Sequence, residues 1–206
     1  MKTIFEKGKI SITDDNTIVL GASRIIKKEI ESRLEDYQLV DDTFSFLTNN
    51  IAETLENFNI SKIKELESIS EIKIKDLTFD QYYLSAILIR IITCQKGLII
   101  DDCLSFLSNK SKQCIYKYAK KYDKKLIIFS NQILEMFSDD LRIVIIHNDD
   151  LAIKGTYKQV LREEKILKRL GYKLPFAVDL STQLKLFKVI NKICFSNQEL
   201  EEALWK

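Results

Sequence analysis

Four short apolar runs, Thr17–Leu20, Gly97–Ile100, Leu126–Phe129 and Arg142–Ile146, are each bounded by polar turn residues, and they limit most strongly what this chain can fold into. Helical periodicity fills several of the stretches between them. Strands that alternate with helices are the pattern of crossover units, so a mostly parallel sheet with helical crossovers is predicted.

The segments outside these strands divide by the same criterion. From Phe44 to Leu66 the pattern is helical with no strand evident, which predicts a small helical subdomain over about residues 44–80. Phe79–Thr93 reads as one long apolar-faced helix running into the strand at Gly97. After Gly155 the pattern changes. An amphipathic helix is expected over Tyr157–Leu170, ended by Gly171, with a second helix from about Leu180 and a last one to about Trp205. Ser196 and Glu199 have the spacing of a capping box at the start of that last helix. The expected division is a core over 1–155 and a C-terminal helical extension over 156–206.

With 206 residues the chain is long enough for one sizeable core plus an appended piece. Lys and Arg number 32 against 30 Asp and Glu, and the charges are interspersed, which argues against nucleic acid as the main partner. Cys94, Cys103, Cys114 and Cys194 are scattered without metal-ligand spacing, in keeping with a reducing cytosol. No apolar run approaches the roughly 18–20 residues of a membrane span, and Glu6 follows Lys2 too closely for a signal peptide. A soluble chain that reaches a membrane only through partners is expected. His147, in His147-Asn-Asp-Asp150 between two apolar runs, reads as part of a hairpin turn, and Phe5 as a core residue of an N-terminal strand.

Gly21-Ala-Ser-Arg-Ile-Ile-Lys27-Lys28 follows an apolar strand and opens a helix, where a phosphate-binding loop of form G-x-x-x-x-G-K-[ST] would sit. Gly21 and Lys27 fit that form, while Ile26 replaces the second Gly and Lys28 the hydroxyl residue. Further along, Gln38 is followed by Thr48-Asn-Asn-Ile-Ala-Glu-Thr-Leu-Glu-Asn, then come Leu77-Thr-Phe-Asp-Gln81, Leu98-Ile-Ile-Asp101-Asp102, Ser105-Phe-Leu-Ser108 and Leu126-Ile-Ile-Phe-Ser-Asn131. Asp140-Leu-Arg-Ile-Val-Ile-Ile and Gly155-Thr-Tyr-Lys-Gln-Val-Leu161 close the series.

In order and spacing this set resembles the ATP-binding subunit of an ABC transporter. The C-terminal stretches Leu174–Leu180 and Ser196–Leu200 are similar to the energy-coupling factor type. The resemblance implies a P-loop NTPase-like α/β fold: a mostly parallel sheet, a helical subdomain, a reduced antiparallel subdomain and a C-terminal helical extension. It implies that Gly21, Lys27, Lys28 and Gln38 hold nucleotide, that Asp101 holds Mg²⁺, and that Asp102 and Asn131 take the catalytic positions. Leu77, Thr78 and Gln81 take the signature positions. The implied ligands are ATP and Mg²⁺. The implied partners are a second ATPase subunit, in a heterodimer, and a transmembrane coupling subunit docking near Gln38 and the helical subdomain on the inner face of the cell membrane.

Departures from the family pattern carry chemical consequences. A β-branched Ile26 disfavours the positive φ that Gly allows, and Lys28 is no ligand for a cation. Asp102 is one methylene shorter than the usual Glu, and a shortfall on the order of 1 Å costs about a hundredfold in rate. Phe79-Asp80 places bulk and negative charge where Gly-Gly meets phosphate, and Asn131 cannot shuttle a proton as His does. Eleven positions separate Lys27 from Gln38, fewer than in the intact family. A catalytically inactive scaffold and a cytosolic interaction protein are the alternative readings.

Overall fold

The computed structural model describes residues 3–134 and 141–205. The chain opens with a hairpin of β1 (Thr3–Lys7) and β2 (Ile10–Thr13), followed by β3 (Thr17–Leu20), α1 (Arg24–Ser32) and β4 (Tyr37–Val40). Next come α2 (Ile51–Asn57), two 3-10 turns at Lys64–Ile69 and Ile74–Asp76, α3 (Phe79–Thr93) and β5 (Gly97–Asp101). A 3-10 turn at Cys103–Phe106 leads to α4 (Asn109–Lys121), β6 (Lys125–Ser130), β7 (Arg142–His147) and β8 (Asp150–Thr156). The remaining helices are α5 (Tyr157–Leu161), α6 (Glu164–Arg169), α7 (Phe176–Leu186) and α8 (Asn197–Leu204).

The main sheet runs β4-β5-β6-β3-β7-β8, with every pairing parallel except the last, where β8 turns back on β7. Alternation of side chains assigns its two faces. Val19, Ile99, Ile127, Phe129 and Val144 point to one side, where they pack with Ile26 and Ile30 of α1 and with Phe5, Ile10 and Ile12 of the hairpin. Ile18, Leu20, Leu98, Ile100 and Ile128 point to the other, against α3 and α4. Helix α3 is buried along most of its length, from Tyr83 through Ile91, because it lies between the sheet and the helical segment 44–80. Phe5 is 1% exposed, in agreement with its reading as a strand core residue.

The four predicted strands are all present. A fifth parallel strand, β4, was not separated from its surroundings in the sequence because it is a short edge strand of mixed residues, with Tyr37 and Gln38 half-buried, Leu39 40% exposed and Val40 buried. Tyr157–Leu170 is two helices rather than one, broken at Arg162-Glu163, and α5 starts from a capping box between Thr156 and Gln159. Helix α7 begins at Phe176, directly after Pro175, which has no N–H to lose at a helix start. Ser196 caps α8 by accepting from the Glu199 amide at 3.1 Å. The Glu199 carboxylate, however, accepts from the Phe195 amide at 2.8 Å, so the predicted reciprocal bond to Ser196 is absent. Asp140, in the predicted stretch Asp140–Ile146, lies outside the described residues.

Tyr157, Val160, Leu161, Leu167, Val178 and Phe195 join the main core, so the helices after β8 are packed onto it. A small separate cluster of Ala177, Ile190, Cys194 and Leu200 holds α7 to α8. His147 is exposed at the β7–β8 turn, where Asn148 and Asp149 adopt φ 52° and 59°, the left-handed pair that a two-residue hairpin requires. No helix among the described residues is long and apolar enough to cross a membrane.

Candidate functional site

Parallel strands end on one edge of the sheet, and the loops leaving that edge are where open α/β folds place ligands. Here β3 ends at Leu20, and Gly21 turns the chain at φ 70° into α1. A Cβ on Gly21 would lie 2.3 Å from the Ile146 carbonyl and 2.8 Å from the Tyr172 hydroxyl, so both backbone and space demand glycine. Ser23 caps α1, its hydroxyl accepting from the Ile26 amide at 3.4 Å, and the helix begins at Arg24. Ile26 is fully buried in the core beneath the helix. The expected loop reaching to Lys27 is therefore shorter: an apolar side chain anchored at position 26 winds the segment into the first turn of α1.

Lys27, one turn into α1, reaches across to β5. Its ammonium lies 2.5 Å from Asp101 Oδ1 and 3.8 Å from Asp102 Oδ2. The Lys27 and Asp101 side chains are 18% and 24% exposed, so the pair is mostly withdrawn from water. Asp102 takes the left-handed conformation, φ 53°, which bends the chain away from the sheet. Asn131, just past β6, donates from its side-chain amide to Asp102 Oδ2 at 2.9 Å and from its backbone amide to Oδ1 at 3.3 Å. Lys27, Asp101, Asp102 and Asn131 thus converge, drawn together from three strand ends. Lys28 is on the exposed side of α1.

Gln38 does not join them. It sits in mid-strand opposite Leu98, three residues or about 10 Å before the sheet edge, and its side-chain oxygen accepts from Arg90 at 3.4 Å. The residue that follows β4 at that edge is Asp41, since Val40 pairs with Ile100 and Asp101 follows Ile100. Burial, then Asp101 and then Asp41, raise the pKa of the Glu31 carboxyl, with Lys27 and Lys28 opposing the rise. Asp41 and Glu31 were missed in the sequence. The signal for Asp41 was present, because Leu39-Val40-Asp41-Asp42 repeats the strand-then-acid pattern of Ile99-Ile100-Asp101-Asp102.

The signature-position residues serve the start of α3. The Thr78 amide donates to the Gln81 side chain at 2.9 Å and the Gln81 amide to the Thr78 hydroxyl at 3.3 Å, a complete capping box. Leu77 packs against the main core. Asp80 accepts from the Ser108 amide at 2.6 Å and the Ser111 hydroxyl at 2.7 Å, which fastens the start of α3 to the start of α4. Phe79 stands over Phe106 with ring centroids 5.6 Å apart, both rings 64% exposed.

Phosphate suits this edge: the first turn of α1 presents its N-terminal dipole, and Lys27 supplies a cation beside it. A Mg²⁺ ion bound beside phosphate would be held by Asp101, whose Oδ1 here accepts from Lys27.

No family model matches the chain. It is 24% identical over 112 residues to the energy-coupling factor transporter ATP-binding protein EcfA1 of Geobacillus kaustophilus, a stretch covering 52% of this chain and 40% of that protein. The chain thus aligns with less than half of that relative's length. Among solved structures, cbiO1 of Clostridium perfringens, part of the ABC transporter complex cbiONQ, superposes with a TM-score of 0.57 at 15% identity over 78% of this chain and 86% of that one. MJ1267, an ATP-binding cassette of an ABC transporter, gives 0.56 at 14% identity over 77% and 89%. The fold of this chain is like that of solved ABC-transporter ATP-binding subunits, and about half of its sequence is similar to one energy-coupling factor ATP-binding protein.

Proposed function

We propose that this chain is an ATP-binding subunit of an ABC importer of the energy-coupling factor type, supporting micronutrient uptake beside a second ATPase subunit and a transmembrane coupling subunit. The observation that carries this reading is the Lys27–Asp101 pair at the carboxyl edge of the sheet, on the elements where this fold places its phosphate lysine and its acidic strand end. Nucleotide phosphate lies at the start of α1 and draws the Lys27 ammonium away from Asp101. Gly21 serves the turn into α1, since any side chain there meets Ile146 and Tyr172 of this chain.

The same geometry supports slow turnover by the chain itself. Both Asp102 oxygens accept from Asn131, which leaves that carboxylate less free to take a proton from water. Thr78 and Gln81 satisfy one another, and Phe79 projects where a phosphate would otherwise approach. The second ATPase subunit then supplies most of the hydrolysis, and this chain contributes its fold and docking surfaces. For the coupling subunit, segment 44–80 offers a recess of about 300 Å³ lined by Leu55, Ile60 and Leu66, with Glu56, Glu67 and Glu71 outnumbering Lys62 among its charged residues. A basic amphipathic helix suits that chemistry.

Thermal unfolding with and without Mg-ATP tests the proposal. A ligand that binds only the folded state raises its stability. The expected result is a melting temperature raised by several degrees in the wild type and unchanged in Lys27→Ala. Equal shifts in both, or none in either, overturn it.

A further inference from the structure

The turn after α7 is remote in sequence from the strand ends that form the site. Helix α7 closes as the Lys188 amide donates to the Lys185 carbonyl at 3.1 Å and the Val189 amide to the Leu184 carbonyl at 2.9 Å, with Lys188 in the left-handed region at φ 58°. Such an end normally carries glycine and buries the apolar residue that follows. This one has lysine, and Val189 stays 59% exposed. Its neighbours Leu186 and Phe187 are 78% and 79% exposed, and Trp205, which ends α8, is 87% exposed.

Lysine is the only charged residue type between Asp179 and Glu199, at positions 185, 188 and 192. Lys185, Lys188 and Lys192 line one recess of about 650 Å³, and Glu202 and Ala203 of α8 close its far side. None of the three lysines pairs with a carboxylate among the described residues. Glu202 is the one carboxylate lining the recess, so its charge remains positive.

We propose that this turn docks on a membrane surface containing anionic lipid, with Lys185, Lys188 and Lys192 on the lipid phosphates and Leu186, Phe187 and Val189 entering the interface. Three exposed apolar residues, Leu186, Phe187 and Val189, stand at this turn, with three lysines beside them against the single carboxylate of Glu202. Interfacial anchors combine these features, apolar side chains that insert and lysines that meet anionic headgroups. Trp205 ends the helix bordering the recess, and an indole ring favours headgroup depth. The contact adds a direct hold on the bilayer to any made through partners, and it holds whether or not the P-loop binds nucleotide.

Trp205 is the only tryptophan in the chain and reports on the contact directly. The full chain is mixed with vesicles of phosphatidylcholine alone, or of phosphatidylcholine and phosphatidylglycerol in equal parts, and followed by sedimentation and Trp emission. The expected result is binding with a blue shift on the anionic vesicles only, weakened by salt. Each lysine near an anionic surface changes partition about fivefold, so Lys185→Glu with Lys188→Glu lowers it at least about tenfold. Phe187→Ser lowers it too while leaving the circular dichroism of the chain unchanged. Binding indifferent to phosphatidylglycerol, or equal in the charge-reversed variant, overturns the proposal. So does a wild type that ignores vesicles and instead forms a dimer lost in Phe187→Ser.

Discussion

Replacing Lys27 by methionine keeps the length of the side chain and removes its charge. Lys27 and Asp101 are 18% and 24% exposed and lie 2.5 Å apart, so the change leaves a largely covered carboxylate without its cation. Breaking a fully buried pair costs about 3–5 kcal/mol, and the remaining solvent contact reduces this to about 2–3 kcal/mol. For a chain of 206 residues that is a fall of about 5–10 °C in melting temperature. Asp101→Asn in the Lys27→Met background removes the stranded charge and recovers stability to within about 1 kcal/mol of wild type. The dependence on pH follows from Glu31, whose carboxyl is raised above its ordinary range by burial, then by Asp101 and Asp41. A raised carboxyl favours folding when protonated: its contribution is complete below the unfolded pKa and is lost as pH rises through the folded value. Lys27 opposes the rise, so Lys27→Met moves that window upward, and its deficit shrinks as pH falls through the carboxylate range. Urea titrations of both single variants and the double variant at about pH 7 and pH 5 provide the assay. Additive effects, with each single change costing under about 0.5 kcal/mol, would refute the reasoning.

Gly21→Ala meets the Ile146 carbonyl in addition to adopting φ 70°, whereas Gly171→Ala adopts φ 83° in open space. Calorimetric melting should therefore show a loss of about 1 kcal/mol at Gly171 and about 3 kcal/mol or more at Gly21. Asp80→Ala removes both bonds from α3 to the start of α4, a loss of about 1–3 kcal/mol in denaturant titration, while Phe79→Ala, at an exposed ring, changes stability much less. Burial pushes the Cys103 thiol up to about 12 and Cys114 to about 11, so a disulfide reagent at about pH 8 should label these thiols slowly in the native chain and fast in urea.

The sheet was legible wherever a strand is covered on both faces. Ile18–Leu20, Leu98–Ile100, Leu126–Phe129 and Ile143–Ile146 are apolar without interruption, and they stand in the sheet interior. Strand β4 was not legible, because it is four residues at a sheet edge without regular alternation, and Tyr37-Gln-Leu-Val mixes with the polar residues around it. Gln38 was assigned to nucleotide by the family resemblance alone, and its mid-strand place sets it about 10 Å short of the strand end, where Asp41 stands. Lys27, Asp101, Asp102 and Asn131 come together because strand ends and a helix start fix their positions. The early start of α1 escaped the motif comparison because burial of Ile26 beneath the helix depends on β1 and β2 packing over the same face. Capping by Thr156 with Gln159 is written in the sequence, and the break at Arg162-Glu163 is a matter of tertiary packing, with Val160, Leu161 and Leu167 all seated in one core.

Isothermal titration of the purified chain with Mg-ATP, alongside Lys27→Ala and Asp101→Ala, tests most directly whether this sheet edge is a nucleotide site. Saturable heat in the wild type that is lost in Lys27→Ala and altered in Asp101→Ala is the predicted result. No heat at millimolar ATP, or the same isotherm in all three proteins, would contradict it.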